Sequence, residues 1–452
     1  MAANENRTAA NGGRSGFRAV VRTLGYRNFR LFFGGQGLSL IGTWMQQVAM
    51  SWLVYRLTAS PFMLGLVNFF ARIPIFLASP FLGVLADRWN RHRILICTQT
   101  LSMLQALVLS WLVFSGRVQV WHLFALSLFI GVVNAMDIPA RQSFFVEMVG
   151  EKEDLGSAIA LNSSLVNSAR LIGPSVAGFV IAGLGEGACF LINGLSYLAV
   201  IVALLLMRIT PRRVEPPTKS ILHELSEGAR YTYGFAPIRA ILLLVTLVSL
   251  MGMPYAVLMP IFAQDVYHQG AHGLGLLTGA TGVGALGGAV FLASRRSVLG
   301  LGRVIVRATL LFGASLMVFS HFPLFWPAMG LLVLTGFGMI VIAASSNTVL
   351  QTIVDDNKRG RLMSFYAVSF AGMVPFGSLM AGGLATAIGA RNTVLASGAA
   401  CFAAGLWFAR GLPRLRGLVH PIYVQKGIIP EVAAGIQSAT EQGSQPKVGG
   451  QG

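Results

Sequence analysis

The chain has little charge, and least of all carboxylate. Of its 452 residues only 11% are charged, with 16 Asp and Glu against 34 Lys and Arg, while 54% are hydrophobic. Soluble domains carry about a quarter charged residues, so this composition cannot clothe a water-facing globule. Three cysteines, Cys97, Cys189 and Cys401, show no paired or ligand spacing and read as packing residues. No Gly-x-x-x-x-Gly-Lys stretch is present to cradle nucleotide phosphates, which argues against ATP as the energy source. His92, His122, His223, His268, His272, His321 and His420 fall in connections or at the ends of apolar runs, without a Cys or carboxylate partner pattern. No enzyme, metal site or cofactor is therefore expected. A net charge of +18 would suggest nucleic acid as partner for a soluble chain. Here the basic residues crowd the connections and the N-terminal arm, and no nucleic-acid partner is expected.

What the chain has in abundance is long apolar runs. At about 20 residues per crossing, they predict twelve spans near 29–55, 61–86, 94–115, 119–142, 157–183, 187–208, 238–264, 273–294, 303–320, 323–352, 361–388 and 391–411. The fold class is thus an all-α polytopic membrane protein. The first run follows Arg14, Arg18, Arg22, Arg27 and Arg30 and is too long, and too polar along one stripe, for a cleavable signal. The polar stretch between Arg208 and Arg239 divides the chain into an arm at 1–28, a six-helix bundle at 29–208, a linker at 209–237, a second six-helix bundle at 238–411 and a mobile tail at 412–452. A faint repeat relates the halves: Tyr-Arg-Asn-Phe-Arg at 26–30 matches Phe-Ala-Pro-Ile-Arg at 235–239, and Gly173-Pro-Ser-Val-Ala-Gly178 matches Gly377-Ser-Leu-Met-Ala-Gly382. Two parallel halves with a site between them at the midplane is a secondary-transporter layout.

Orientation follows from Lys and Arg. Odd-to-even connections hold only Arg56, Arg117 and Arg391, Arg72 and Arg170 lie within spans, and all other Lys and Arg fall on the opposite face. Short basic connections stay inside, so both termini are expected in the cytoplasm. Trp52, Tyr55, Trp111, Trp121 and Trp326 then lie at the outer interface, where amphipathic rings are favoured.

Between Gly83 and Arg93 the chain reads Gly-Val-Leu-Ala-Asp-Arg-Trp-Asn-Arg-His-Arg, a knot of charge between two apolar spans. Lipid does not tolerate it, so it marks two helix ends at water. The spacing Gly-x-x-x-Asp-Arg-x-x-Arg-x-Arg resembles the loop between the second and third spans of major facilitator superfamily transporters, which implies two pseudo-symmetric six-helix bundles. Asn90 stands where that pattern has Gly, and the matching loop near Gly288 to Arg303 lacks the Asp. Gly83 lets a backbone approach closely, and Asp87, beside Arg88, can accept from a helix N-terminus. Arg91 and Arg93 then look for a carboxylate. The resemblance implies a relay from Arg91 to Asp137 at the end of the fourth span, holding the cytoplasmic side shut. The alternative is a local pair between Asp137 and Arg141, one turn on.

In the fifth span, Ala169-Arg-Leu-Ile-Gly-Pro-Ser-Val-Ala-Gly178 resembles the Gly-x-x-x-Gly-Pro-x-x-Gly-Gly element of drug and proton antiporters, with Ala169 and Ala177 where Gly is usual. Pro174 removes a hydrogen bond to the Arg170 carbonyl, so Gly173, Pro174 and Gly178 mark either a functional bend or a packing kink. With Asp-x-Pro-x-Arg at 137–141 and Pro-Ile-Tyr-Val-Gln-Lys-Gly at 421–427, the chain resembles the bacterial branch that includes the enterobactin exporter. That implies a bacterial inner-membrane protein exporting a siderophore or drug-like molecule by proton antiport, with membrane lipids around a monomer.

Helical phase groups Gln36, Thr43 and Gln47 on one stripe of the first span, with Ser51 at its edge, and Ser163, Asn167, Arg170 and Pro174 on one stripe of the fifth. Such stripes face a cavity or another helix. Asn134, Tyr255, Asn347, Gln351, Tyr366 and Met373 are further candidates. Arg72 and Arg170, the charges placed near the midplane, favour an anionic substrate or else are neutralised by helix carbonyls or Asp137. Asp137 is the titratable group nearest the midplane for proton coupling. A lysophospholipid flippase and a non-transporting receptor or scaffold are the competing readings.

Overall fold

The computed structural model describes residues 22–88, 90–149, 154–208, 234–295, 297–355 and 358–428, with the backbone alone at 79–88 and 146. Twelve long helices fill these residues. In the first half they are α1 (Arg27–Thr58), α2 (Pro61–Arg88), α3 (Arg91–Phe114), α4 (Val120–Met148), α5 (Leu155–Leu184) and α6 (Glu186–Leu206). The second half has α7 (Ala236–Val266), α8 (Gly270–Ala293), α9 (Leu301–His321), α10 (Phe325–Ile353), α11 (Arg359–Ile388) and α12 (Ala390–Gln425). Eleven of them are long and apolar enough to cross a membrane. The twelfth, α1, has 32 residues but spends its apolar character on Gln36, Ser39, Thr43, Gln46 and Gln47. The chain is a multi-pass, all-α membrane protein. Leu184, Leu205 and Trp326 are each more than 60% exposed, as side chains facing lipid should be.

The turns repeat between the halves. Gly185 joins α5 to α6 at φ 81° and Gly389 joins α11 to α12 at φ 82°, a conformation costly for any residue with a Cβ. The bundles meet along two seams, α5 on α8 and α2 on α11, which exchange when the first helix of one half is matched to the first of the other. The two copies of the sequence repeat sit at equivalent points. A Cβ on Gly178 would lie 2.9 Å from the Gly275 Cα, and one on Gly382 would lie 3.1 Å from the Gly65 Cα. Backbones thus touch at both seams, the small-residue packing that lipid-embedded helices rely on.

Two helices are interrupted. In α7, a π turn at Val248–Gly252 precedes a 3-10 stretch at Met253–Leu258 and another π turn at Phe262–Val266. Pro254 and Pro260 supply no N–H to the preceding turn, and the carbonyl of Leu250 faces the space beside Gly377 of α11. In α11 a π turn spans Val368–Gly372. The last helix runs well beyond the predicted span end at 411: α12 continues to Gln425, and Lys426 Nζ donates to the carbonyls of Thr352 and Val354 at 2.9 and 2.8 Å. It thereby caps the end of α10 with a cation, where the helix dipole favours one.

Candidate functional site

The seam between the bundles carries a cationic centre. Arg170 of α5 lies with its guanidinium carbon 5.6 Å from the ring centre of Trp44 on α1 and its Nη2 3.6 Å from Met339 Sδ on α10. Tyr255, in the 3-10 stretch of α7, is 4% exposed and within electrostatic reach of Arg170 and of the Thr281 side chain on α8. Arg72 of α2 feels the Arg170 charge, and makes no hydrogen bond or ion pair among the described residues. Six helices from both halves, the two that carry the arginines included, therefore meet around two guanidiniums, and among the described residues no carboxylate pairs with either. The kink residues serve this packing. Gly173 abuts Ile41 and Trp44 of α1, Gly178 abuts Gly275 of α8, and α5 runs helical through Pro174.

The other candidates divide. Thr43 and Gln47 are exposed on one face of α1, whereas Gln36 is buried with its Oε1 unpartnered. Thr43 donates to the Ser39 carbonyl at 2.8 Å, and Asn167 of α5 donates to the Ser163 carbonyl at 2.9 Å. On the second bundle, Gln351 donates to Asn347 at 2.5 Å and the Tyr366 hydroxyl to the Ala343 carbonyl at 2.8 Å, with the Tyr366 ring stacked on Phe370. Neither bond involves Arg72 or Arg170.

At the basic turn the structure corrects the preferred pairing. Arg91 bonds Glu147 at 2.8 Å and not Asp137. Asp137, 2% exposed, pairs with Arg141 and accepts from Thr98 Oγ1 and Gln99 Nε2, both at 2.8 Å. The reason is length: α4 continues six residues past its expected end to Met148 and brings Glu147 beside Arg91. These contacts tie α3 to α4 inside one bundle and do not bridge the seam. Asn90 is the N-cap of α3, accepting from the Arg93 N–H at 3.2 Å, and the Arg93 side chain is exposed. Gly83, Asp87 and Arg88 lie where side chains fall outside the described residues.

Closure lies at the other end. Among the described residues, Tyr55 at the end of α1 donates to Asp265 at the end of α7, and Phe179 meets His272 edge-on at 4.6 Å. Phe69 and Phe76 flank Phe376. Toward the basic end α8 leaves α5: Gly284 and Gly288 face Val333 and Phe337 of α10, while Ser163, Ser164, Thr348 and Gln351 are exposed. Among the described residues, the bundles are sealed far from the basic turn and parted beside it. Sequence reasoning missed Asp265, although it is the only acid between Glu227 and Asp355. It also missed the buried chain in which Asn193 donates to Gln46 at 2.7 Å and Gln46 to Gln105 at 2.9 Å.

Residues 21–417 match the family described as transmembrane secretion effector. The chain belongs to that family, a branch of the major facilitator superfamily. Among similar proteins, the staphyloferrin A transporter of Staphylococcus aureus is 24% identical, covering 78% of this chain and 88% of that one. The multidrug efflux pump Tap of Mycolicibacterium fortuitum is 26% identical, covering 82% and 92%. These relatives are transporters and not enzymes. The fold is shared with a bacterial homologue of the human lysosomal transporter Spinster, solved inward-facing and unoccupied, at TM-score 0.67 and 14% identity over 88% of this chain and 98% of that one.

Proposed function

We propose that this family member is a secondary active exporter that carries a small organic anion, siderophore-like or drug-like, out of the cytoplasm by alternating access coupled to proton antiport. The observation that carries this reading is the partnerless Arg72 beside Arg170 at the seam of two bundles that are shut at one end only. A half-buried cation within a membrane span and without a counter-charge is costly, and an anionic guest that enters from the parted side relieves it. The basic end, by the excess of Lys and Arg, is cytoplasmic, so the parted side admits cytoplasmic substrate. Trp44 offers a planar face beside the Arg170 charge, suited to an aromatic or conjugated acid. Both named relatives, one a siderophore transporter and one a drug efflux pump, fit this substrate range.

The test is uptake into everted membrane vesicles under an imposed pH gradient, with labelled catechols, drugs and lysolipids. Gradient-driven accumulation of an anionic compound is expected. Each charge-assisted hydrogen bond contributes about 1.5–3 kcal/mol, so Arg72→Gln and Arg170→Gln should each weaken the apparent affinity about tenfold or more. Unchanged affinity in both variants removes the anion assignment. Failure of every compound to accumulate removes the exporter assignment.

A further inference from the structure

We infer that the second bundle holds an anionic phospholipid in a groove beneath the extension of α12, a site separate from the arginine centre. The groove encloses about 340 Å³ between the starts of α7 and α9 and the second half of α12. Its floor is apolar, made by Ile241, Ile305, Val349, Phe408 and Leu412, and its rim carries Arg416, His420 and Tyr423. Among the described residues no Asp or Glu lines it.

Depth places this groove where a lipid would enter. The 36 residues of α12 extend about 54 Å at 1.5 Å each, whereas the hydrocarbon layer takes about 20 residues. Counted from Ala390, the layer ends near Phe408, so the floor lies at its edge and the rim at headgroup level. Pro413 and Pro421 lie within this overhanging part of the helix, where the ring removes backbone donors and favours bending.

The charge selects the occupant. Arg416 and His420 stand one helical turn apart on the same face, where like charges repel when the imidazole is protonated. Neither has a hydrogen bond or ion pair among the described residues. Arg410, Arg414 and Lys426 follow the same helix, and the sequence has no carboxylate between Asp356 and Glu431. An acyl chain in an apolar slot with its phosphate between Arg416 and His420 satisfies both halves of the site at once. A zwitterionic lipid would bring its own cation to the same rim. The cytoplasmic leaflet, which this end faces in the orientation proposed above, is the anionic one. The bound lipid would hold the overhang of α12 in the position from which Lys426 caps α10.

The experiment is native mass spectrometry of the delipidated full chain in detergent, titrated with phosphatidylglycerol, with phosphatidylcholine of the same acyl chains, and with soluble glycerol phosphate. Because it reads lipid binding alone, its outcome is independent of whether the protein exports anions. One phosphatidylglycerol should bind at least tenfold more tightly than phosphatidylcholine, and glycerol phosphate should not compete. The Arg416→Gln, His420→Gln double variant should lose that preference while keeping weak binding of both lipids. Leu412→Trp, which fills the slot, should lower the binding of both. Equal affinity for the two lipids, an unchanged preference in the double variant, or full competition by glycerol phosphate would each overturn the proposal.

Discussion

Asp137 holds a carboxylate at 2% exposure by three donors, Thr98, Gln99 and Arg141. Removing it strands a guanidinium and an amide in the interior of one bundle. Breaking a buried pair in this way costs about 3 kcal/mol or more, so Asp137→Ala should lower the thermal unfolding midpoint in detergent by several degrees. Asp137→Asn keeps the shape and removes the titration; if this group carries the coupling proton, that variant folds yet loses pH-driven uptake. Normal coupling in it would move the proton site elsewhere. Asp154 makes a different prediction. Two hydrogen bonds from Arg22, at 2.8 and 2.6 Å, and one from Tyr26 at 2.9 Å hold its carboxyl below the usual carboxylate range, the Arg22 bonds most of all. The native state therefore releases this proton more readily than the unfolded chain does. Its contribution to stability is complete above the ordinary carboxylate pKa and is lost as pH falls through the lowered one. Unfolding midpoints measured from pH 6 down to pH 3 should fall less steeply in Asp154→Asn than in the unaltered protein, and parallel curves would contradict the assignment.

Helix ends decide what the helices can reach. The apolar runs made the cores of the spans legible, because lipid demands about 20 apolar residues whatever the neighbours. Beyond the lipid no such demand operates, and there the reading fell short. Glu147 as partner of Arg91 and Lys426 as the cap of α10 both depend on helices that continue into water. The arginines near the midplane were legible as intramembrane charge, while the convergence of Trp44, Met339 and Tyr255 on Arg170 depends on how α1, α7 and α10 lean together, which no single-helix phase contains. The tie between α1 and α7 was equally hidden, since Tyr55 and Asp265 lie 210 residues apart. A hydrogen bond to a carboxylate at a part-exposed site contributes about 1 kcal/mol or more, which shifts a two-state equilibrium about fivefold. In a chain lacking its three native cysteines, a cysteine at Phe69 should react about fivefold faster with an impermeant thiol reagent from the far side once Tyr55→Phe or Asp265→Asn is added. An unchanged rate would mean that the tie does not hold the seam.

The molecule as a whole is two bundles that meet at glycines. Gly178 with Gly275, and Gly65 with Gly382, occupy equivalent points on the two seams, so the sealed end can close only as far as backbone contact there allows. A Cβ on Gly275 would sit 2.7 Å from both the Gly178 Cα and the Pro174 carbonyl oxygen, and these are main-chain atoms that no rotamer change can move aside. Gly275→Val should therefore prop the far end apart, deprive the protein of the state sealed there, and reduce vesicle uptake by tenfold or more. Insertion should survive, because α8 keeps its apolar length. Gly183→Val and Gly330→Val are the controls: neither position has a heavy atom within 4 Å of the added carbon, and both should transport normally. If Gly275→Val reaches the membrane in normal amount and transports at the unaltered rate, the seal does not depend on backbone contact and the rocking of rigid bundles about these seams is the wrong description.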